Sequence, residues 1–284
     1  MKAPVLVIGG ANMDILGMPG EHFAWRDSNI GRVTLSPGGV GRNIAQHIAQ
    51  AGIPVELACV LGSDAFGQAL VASCDGLGIG LRYALRADAA SCVYMAIHDD
   101  GGDMAAAIND MRAMDLLDGQ AIRALPANGF SLCLLDANLS REALQAAANH
   151  MQVPLMADPV SCEKAARLTP ILNRLRAFKP NLMEAQCLTG CQSPQDAAAV
   201  LLQMGVQQVF ISLGREGLYC AAGDEHFHLP ALPVPPGPAT GAGDAMTAGL
   251  ACAIAQGLSL RDIAQQGLRF AHHHLVQRAA EAAK

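Results

Sequence analysis

Short apolar runs alternate with segments of helical apolar spacing along most of the chain, and that alternation leaves few folds open. The runs "VLVIGG", "VELACVLG", "FSLCLLD", "PLMADP", "RAFKPN" and "QVFISLG" read as strands. Between them "RNIAQHIAQAG", "AFGQALVASCDGLG", "REALQAAANHM", "RLTPILNRL" and "PQDAAAVLLQMG" repeat apolar residues at helical period. Several of these end in glycine at or just past the last turn, where a left-handed cap is wanted. Strands alternating with helices predict parallel βαβ units and a sheet covered on both faces. No internal repeat or low-complexity linker interrupts the 284 residues, which suffice for a substantial core.

Two segments break the rhythm. "SNIGRVTLSPGG" stands where a helix should follow the first strand. "SCVYMAIHDDGGDMAAAIND" reads as two strands joined at Asp100-Gly101-Gly102-Asp103, because Gly-Gly suits a tight hairpin. Together they predict a small β-flap inserted into the α/β body, able to close over a ligand and exclude water. An edge sheet without that role is the plainer reading.

Composition removes several functional classes. Hydrophobic residues make up 51% and charged residues 15%, as in a well-packed soluble enzyme. A formal charge of −6 without a basic run argues against a general nucleic-acid binder. The start, "MKAPVLVIGGANMD", meets Asn12 and Asp14 too soon for a signal peptide, and no stretch is long enough to span a membrane, so a cytoplasmic location is expected. The nine cysteines form no CxxC pair and read as reduced core residues. Cys187 and Cys191 lie four apart on an expected helix without a histidine to complete a zinc site. His272 to His274 invite a metal reading, but consecutive helical residues point in different directions. His226 and His228 share one face of a half-exposed strand.

The polar residues fall where an open parallel sheet binds ligands, beyond the carboxyl ends of its strands. Asn12 and Asp14 follow the first strand and offer the donors and acceptors that adjacent sugar hydroxyls need. "SPGGVGRNIAQ" brings Gly38, Gly39 and Gly41 to a helix N-terminus with Asn43 in its first turn. It does not follow a strand as G-x-G-x-x-G, which disfavours a dinucleotide enzyme. "KPNLMEAQCLTG" sets Asn181 and Glu184 three apart at a strand-to-helix turn. The pair could orient magnesium-bound water and phosphate, or simply cap the helix. In "TGAGDAMTAGL" a helix N-terminus with Gly241, Ala242 and Gly243 offers N–H groups to an anion. Asp244 beside that hole could take a proton from an alcohol during phosphoryl transfer. No Walker-type motif is present.

"PGGVGRN", "NLME", "SLGREG" and "TGAGDAMTAG", in this order and spacing, resemble the ribokinase-like (PfkB) carbohydrate kinase family over nearly the whole chain. Within it, "DSNIGRVTLSPGGVGRNIAQ" and "AINDM" are most similar to pseudouridine kinases, which phosphorylate the 5′-hydroxyl of pseudouridine with ATP. The resemblance implies a three-layer α/β/α domain over residues 1–284 with a mostly parallel sheet and lid segments at about 15–37 and 88–110. It implies that Asn12, Asp14, Gly39 and Asn43 hold the ribose, with Asp244 as base and Gly241, Ala242 and Gly243 as the anion hole. Asn181 and Glu184 would serve Mg2+ through water, and Ser212, Gly214 and Gly217 would border ATP. Asn109 with Asp110, Asp136 and Asn138 are further substrate contacts by the same resemblance, with Ser28 and Asn29 as candidates near the base. The lid also implies a homodimer.

The chain departs from the pattern in two places. Pro238 and Ala239 stand where the family commonly has Asp-Thr, which removes a carboxylate tied to monovalent-cation sites and leaves K+ open. After "RFAHHHLVQRAAEAAK" relatives continue into a segment that helps bound the adenine pocket. Other readings of the resemblance are a kinase for another nucleoside or for ribose, or a catalytically silent ligand-binding relative.

Overall fold

The computed structural model describes residues 3–20 and 22–282. In chain order its elements are β1 (Val5–Ile8), β2 (Asn12–Pro19), β3 (Gly31–Gly38), α1 (Val40–Gln50), β4 (Val55–Ala58), β5 (Val60–Gly62), α2 (Ala65–Gly76), β6 (Leu85–Ala87), β7 (Val93–His98) and β8 (Met104–Asp110). There follow α3 (Gly119–Arg123), β9 (Leu132–Asp136), α4 (Arg141–His150), β10 (Leu155–Asp158), α5 (Cys162–Ala165), β11 (Ala177–Phe178), α6 (Leu182–Thr189), α7 (Pro194–Gln203), β12 (Val209–Ser212), β13 (Leu218–Ala222), β14 (Glu225–Leu229), α8 (Ala242–Ala255) and α9 (Leu260–Ala282).

An eight-stranded sheet in the order β14-β13-β12-β11-β10-β9-β1-β4 forms the body. It is parallel from β4 to β12, and β13 and β14 add an antiparallel edge. Alternate residues of each strand feed opposite layers. Val5, Val7, Leu132 and Leu134 pack with α1, α8 and α9, whereas Leu6, Ile8, Cys133 and Leu135 pack with α4 and α7. Such double-sided burial explains why these strands read as continuous apolar runs. The chain leaves β1 in one direction for β4 and reaches β9 on the other side. The carboxyl ends of β1 and β9 therefore border the crevice where ligands bind in such sheets.

Both segments expected to form a flap enter a separate four-stranded sheet, β3-β2-β7-β8, which also takes in the first residues after β1. Asp99 to Asp103 close the β7–β8 hairpin, where Asp99 N–H donates to the Asp103 carbonyl at 2.8 Å. A bulge interrupts the pairing: Ile97 faces Ala106 but His98 faces Met104, so Ala105 is the extra residue. Directly paired residues project to the same side of a sheet. Ser36, Asp14, Tyr94 and Asn109 thus form one row on one face, and Leu35, Ile15, Met95 and Ile108 form a row on the other.

Some local expectations need correction. "RLTPILNRL" forms a 3-10 helix over Ala166–Arg174 rather than an α-helix, since Pro170 lacks the N–H and crowds the preceding turn. "VELACVLG" divides at Cys59, because β5 leaves the main sheet to pair with β6. Cys191 lies outside α6, which stops at Gly190 in the left-handed conformation. The cysteines are all free, and Cys59, Cys74, Cys92, Cys133, Cys220 and Cys252 are buried as expected, whereas Cys162, Cys187 and Cys191 are not. No helix of the described residues is long and apolar enough to cross a membrane.

Candidate active site

The turn after β1 fixes the floor of the crevice. Asp136, at the end of β9, is fully buried and accepts the Gly10 N–H at 2.8 Å and the Asn138 N–H at 2.9 Å. Asn138 in turn accepts from Lys164 Nζ at 2.7 Å. Both residues expected beside the substrate therefore order the loop beneath it, with their polar atoms committed inward. The turn carries Asn12 to the start of β2, where its Nδ2 donates to Asp14 Oδ1 at 2.6 Å. A side chain at Gly38 would collide with the Asp14 carboxylate, so glycine is what lets β3 approach it. Burial raises the Asp14 carboxyl above its usual range, with Asn12 and Arg42 pulling it back.

Helix α1 begins at Gly39, with φ 98° and no side-chain cap. Arg42 is buried, donates its backbone N–H to the Gly10 carbonyl at 3.0 Å, and reaches Asn43 Oδ1 at 3.2 Å and Gln46 Oε1 at 2.7 Å. A guanidinium only donates, so Asn43 must turn its oxygen to Arg42 and its NH2 the other way. That NH2 donates to Asp244 Oδ2 at 3.0 Å, joining residues 201 positions apart. Packing of α1 on α8 makes the contact possible.

At the start of α8, Gly241 is left-handed with φ 87°. The Ala242 N–H donates to the Ala239 carbonyl at 3.2 Å, whereas Gly243 and Asp244 keep the free N–H groups of a first helical turn. Of Gly241, Ala242 and Gly243, expected as the anion hole, Gly241 turns the chain, Ala242 has its N–H occupied, and Gly243 with Asp244 offers the free N–H groups. Burial pushes the half-buried Asp244 carboxyl up to about 7, the Asp158 carboxylate adds to this, and Asn43 and Lys179 oppose it.

Lys179 and Asp158, which sequence reading passed over, complete the charge balance. Lys179 follows β11 and Asp158 ends β10; they form a buried ion pair at 3.3 Å, with Thr247 donating to Asp158 at 2.8 Å. Burial works against the Lys179 ammonium, but Asp158, Glu184 and Asp244 together hold its pKa above the ordinary value. Its Nζ lies 3.5 Å from where a Cβ on Gly243 would stand. Both lie at the carboxyl ends of strands, the same signal that singled out Asp14.

Asn181 and Glu184 form a reciprocal capping box, each side chain bonded to the other's backbone N–H at 2.8 Å. Glu184 is buried, and burial raises its carboxyl above the usual range. Beyond them a cavity of about 500 Å³ opens toward α8. Ser212, Gly214 and Arg215 of "SLGREG" line it, while Gly217 packs against the Leu229 carbonyl away from the lining. Asn109 stands exposed on β8, Asp110 pairs with Arg112 at 2.7 Å, and Asn29 closes its own loop on Ala24 at 2.6 Å.

This cleft joins a carboxylate, free helical N–H groups and a buried lysine to a deep cavity. Residues 2–281 match the model of the pfkB family of carbohydrate kinases. The chain belongs to that family. It is a sugar or nucleoside kinase, a phosphotransferase with an alcohol group as acceptor. A pseudouridine kinase of Escherichia coli is 34% identical over 268 residues, covering 90% of this chain and 85% of that protein. An uncharacterized sugar kinase of the same organism is also 34% identical, over 92% of this chain and 75% of its own length. Among solved structures, the ribokinase of Thermotoga maritima has a TM-score of 0.88 at 21% identity, covering 99% of this chain and 95% of that one. Arabidopsis thaliana ribokinase complexed with ribose and ATP has a TM-score of 0.80 at 22% identity, covering 97% and 93%. The two charged groups sit in opposed environments: burial raises Asp244 toward neutrality, while three carboxylates keep the Lys179 ammonium charged.

Proposed function

We propose that this pfkB kinase transfers the γ-phosphoryl group of ATP to the 5′-hydroxyl of pseudouridine, giving pseudouridine 5′-phosphate and ADP. The Asn43–Asp244 contact carries the chemical part of the reading. It sets a carboxylate raised to about 7 between α1 and the free N–H groups of α8. Asp244 takes the hydroxyl proton as the oxygen–phosphorus bond forms, and the Gly243 and Asp244 N–H groups with Lys179 receive the charge on the phosphate oxygens. Asn12, Asp14, Gly39 and Asn43 hold the ribose. The face bearing Asp14 and Asn109 closes over it as a lid on a single kinase domain, with Asp136 and Asn138 bracing the floor.

ATP would occupy the cavity past Ser212 and Gly214; Arabidopsis ribokinase, of similar fold, is complexed with ribose and ATP. No group of three or more His, Cys, Asp or Glu among the described residues is arranged to hold a metal. Magnesium that keeps most of its waters and arrives with the triphosphate fits such a site. Asn181 and the free oxygen of Glu184 would hold those waters, and the ion would neutralise phosphate charge when bound. Pro238 and Ala239 bring no carboxylate to the wall, so K+ is left out of the proposal. The free cysteines suit a reducing cytoplasm.

Pseudouridine itself rests on the similarity to the E. coli enzyme, and the equal identity of a sugar kinase supports a second reading, phosphorylation of a free sugar. Radiolabelled phosphate transfer to pseudouridine, uridine, adenosine and ribose separates them. Pseudouridine carries a ring N–H that uridine lacks, and a site that pairs with a substrate N–H rejects the analogue by about 10⁴-fold or more. Equal kcat/KM for uridine or ribose would remove pseudouridine and leave the kinase.

The outward face of the lid supports a homodimer. Leu35 and Ile108 are 55% and 63% exposed in one apolar row with Ile15 and Met95, a surface that monomers seldom leave bare. Sedimentation at micromolar concentration should give two chains for the native protein and one for Leu35→Lys/Ile108→Lys. A native monomer would sink the dimer.

A further inference from the structure

The wall of the nucleotide-side cavity from Ala231 to Thr240 contains neither helix nor strand. Pro233, Pro235, Pro236 and Pro238 have no N–H to donate, and its one bond to backbone among the described residues joins the Ala239 carbonyl to Ala242. A segment that cannot hold itself needs partners elsewhere. Helix α9 supplies them. His272 Nε2 lies 3.1 Å from the Pro233 carbonyl, and His274 Nε2 lies 2.8 Å from the Thr240 carbonyl. A carbonyl accepts only, so both imidazoles carry their hydrogen on Nε2. Between these points Gly237 packs against Ala279 of the same helix. The His274 ring stands edge-on to His47 at 5.1 Å, which fixes its angle. A side chain at Gly241 would meet His274 Nε2 at 2.8 Å, so glycine allows the approach as well as the turn. Two of the three histidines that suggested metal, His272 and His274, are thus engaged with backbone.

We propose that His272 and His274 form a two-point latch that holds this wall against α9. His272 sets the end that encloses the phosphoryl donor. His274 sets Thr240 and Gly241, and through them the free N–H groups at the start of α8. Both are positioning residues. The proposal rests on the cavity's taking the donor, as read above.

The test compares alanine with glutamine at each site, because a glutamine amide can still donate to a carbonyl while both residues suit a helix. His274→Ala should lower kcat about tenfold or more with acceptor KM within twofold, since small displacements of transition-state donors cost rate rather than binding. His274→Gln should recover most of that loss. His272→Ala should raise donor KM about fivefold, the usual weight of one hydrogen bond, and leave kcat in place. Exchange at the Ala242 amide, which donates to the Ala239 carbonyl beside Thr240, should quicken in His274→Ala and not in His274→Gln. Unchanged kinetics in both alanine variants, or glutamine no better than alanine, would overturn the latch. If the native protein transfers no phosphate to any acceptor, the kinase reading fails, and the exchange rates alone decide the latch: quickening supports it and no change refutes it.

Discussion

Asp244→Asn should reduce kcat by about 10²–10⁴-fold, the contribution of a positioned general base, with KM for the acceptor little changed. The amide keeps the size of the side chain but cannot accept the hydroxyl proton. In the native enzyme the carboxyl must be ionised to act, and burial holds its pKa at about 7. The kcat/KM profile should therefore fall about tenfold per unit below that pH and level off above it. The same substitution should raise stability. An unfolded aspartate titrates near 3.9, so the folded chain binds more protons between about 4 and 7. Ionised Asp244 accordingly costs folding energy above pH 7, and this cost disappears as pH falls toward 4. Asp244→Asn should lift the thermal midpoint at pH 8 and lose most of that gain as pH falls to about 4. Turnover near the native value would remove Asp244 as base, and an unchanged midpoint at pH 8 would remove the raised pKa.

The second large effect is expected at Gly39. Its φ of 98° disfavours any side chain, and a Cβ there would meet the Gly10 carbonyl oxygen at 2.5 Å and Ala11 Cα at 2.8 Å. Both contacts are backbone, so the β1–β2 turn must move, carrying Asn12 with it. Gly52 separates strain from collision: its φ is 73°, and nothing lies within 4 Å of a Cβ there. Gly52→Ala should cost about 1 kcal/mol, the penalty of left-handed backbone alone. Gly39→Ala should cost about 3 kcal/mol or more in denaturant unfolding, adding displaced backbone to that strain. It should also raise acceptor KM at least about tenfold. Equal costs at the two glycines would mean the turn yields freely and does not position the sugar site.

The body of the fold was legible because burial on both sides makes a strand apolar throughout, as the fully buried β1 and β9 illustrate. β2 was missed for the converse reason. "NMDILGMP" mixes a polar crevice face with an apolar outer face, and it blends into the motif that precedes it. Pro170 turned an apolar helical pattern into a 3-10 run, a local rule that outweighs periodicity. In the site, residues within compact motifs could be picked out, as Asn43 and Asp244 were. Lys179 and Asp158 could not be joined from sequence, since their partnership exists only where β10 and β11 lie side by side. Arg42 stood in plain view inside "VGRN", but its grip on the Asn43 amide depends on where α1 meets the turn after β1. Asp136 was singled out as a substrate contact, but its bonds to the Gly10 and Asn138 N–H groups, which brace the turn after β1, could not be read from its place at a strand end.

The extra residue in the β7–β8 hairpin has a consequence for how this chain can vary. In an unbroken hairpin, side-chain parity runs from the tip to the base, so changing the tip by one residue turns every side chain below it to the opposite face. Here Ala105 takes up the odd residue between the tip and the pairs beneath. Residues 99–103 can gain or lose length while Tyr94 and Asn109 stay opposite one another, above Asp14. The tip is therefore free to diverge in sequence and reach without altering the row of Asp14, Tyr94 and Asn109, and insertions should collect there rather than in β2 or β3, whose pairing runs unbroken.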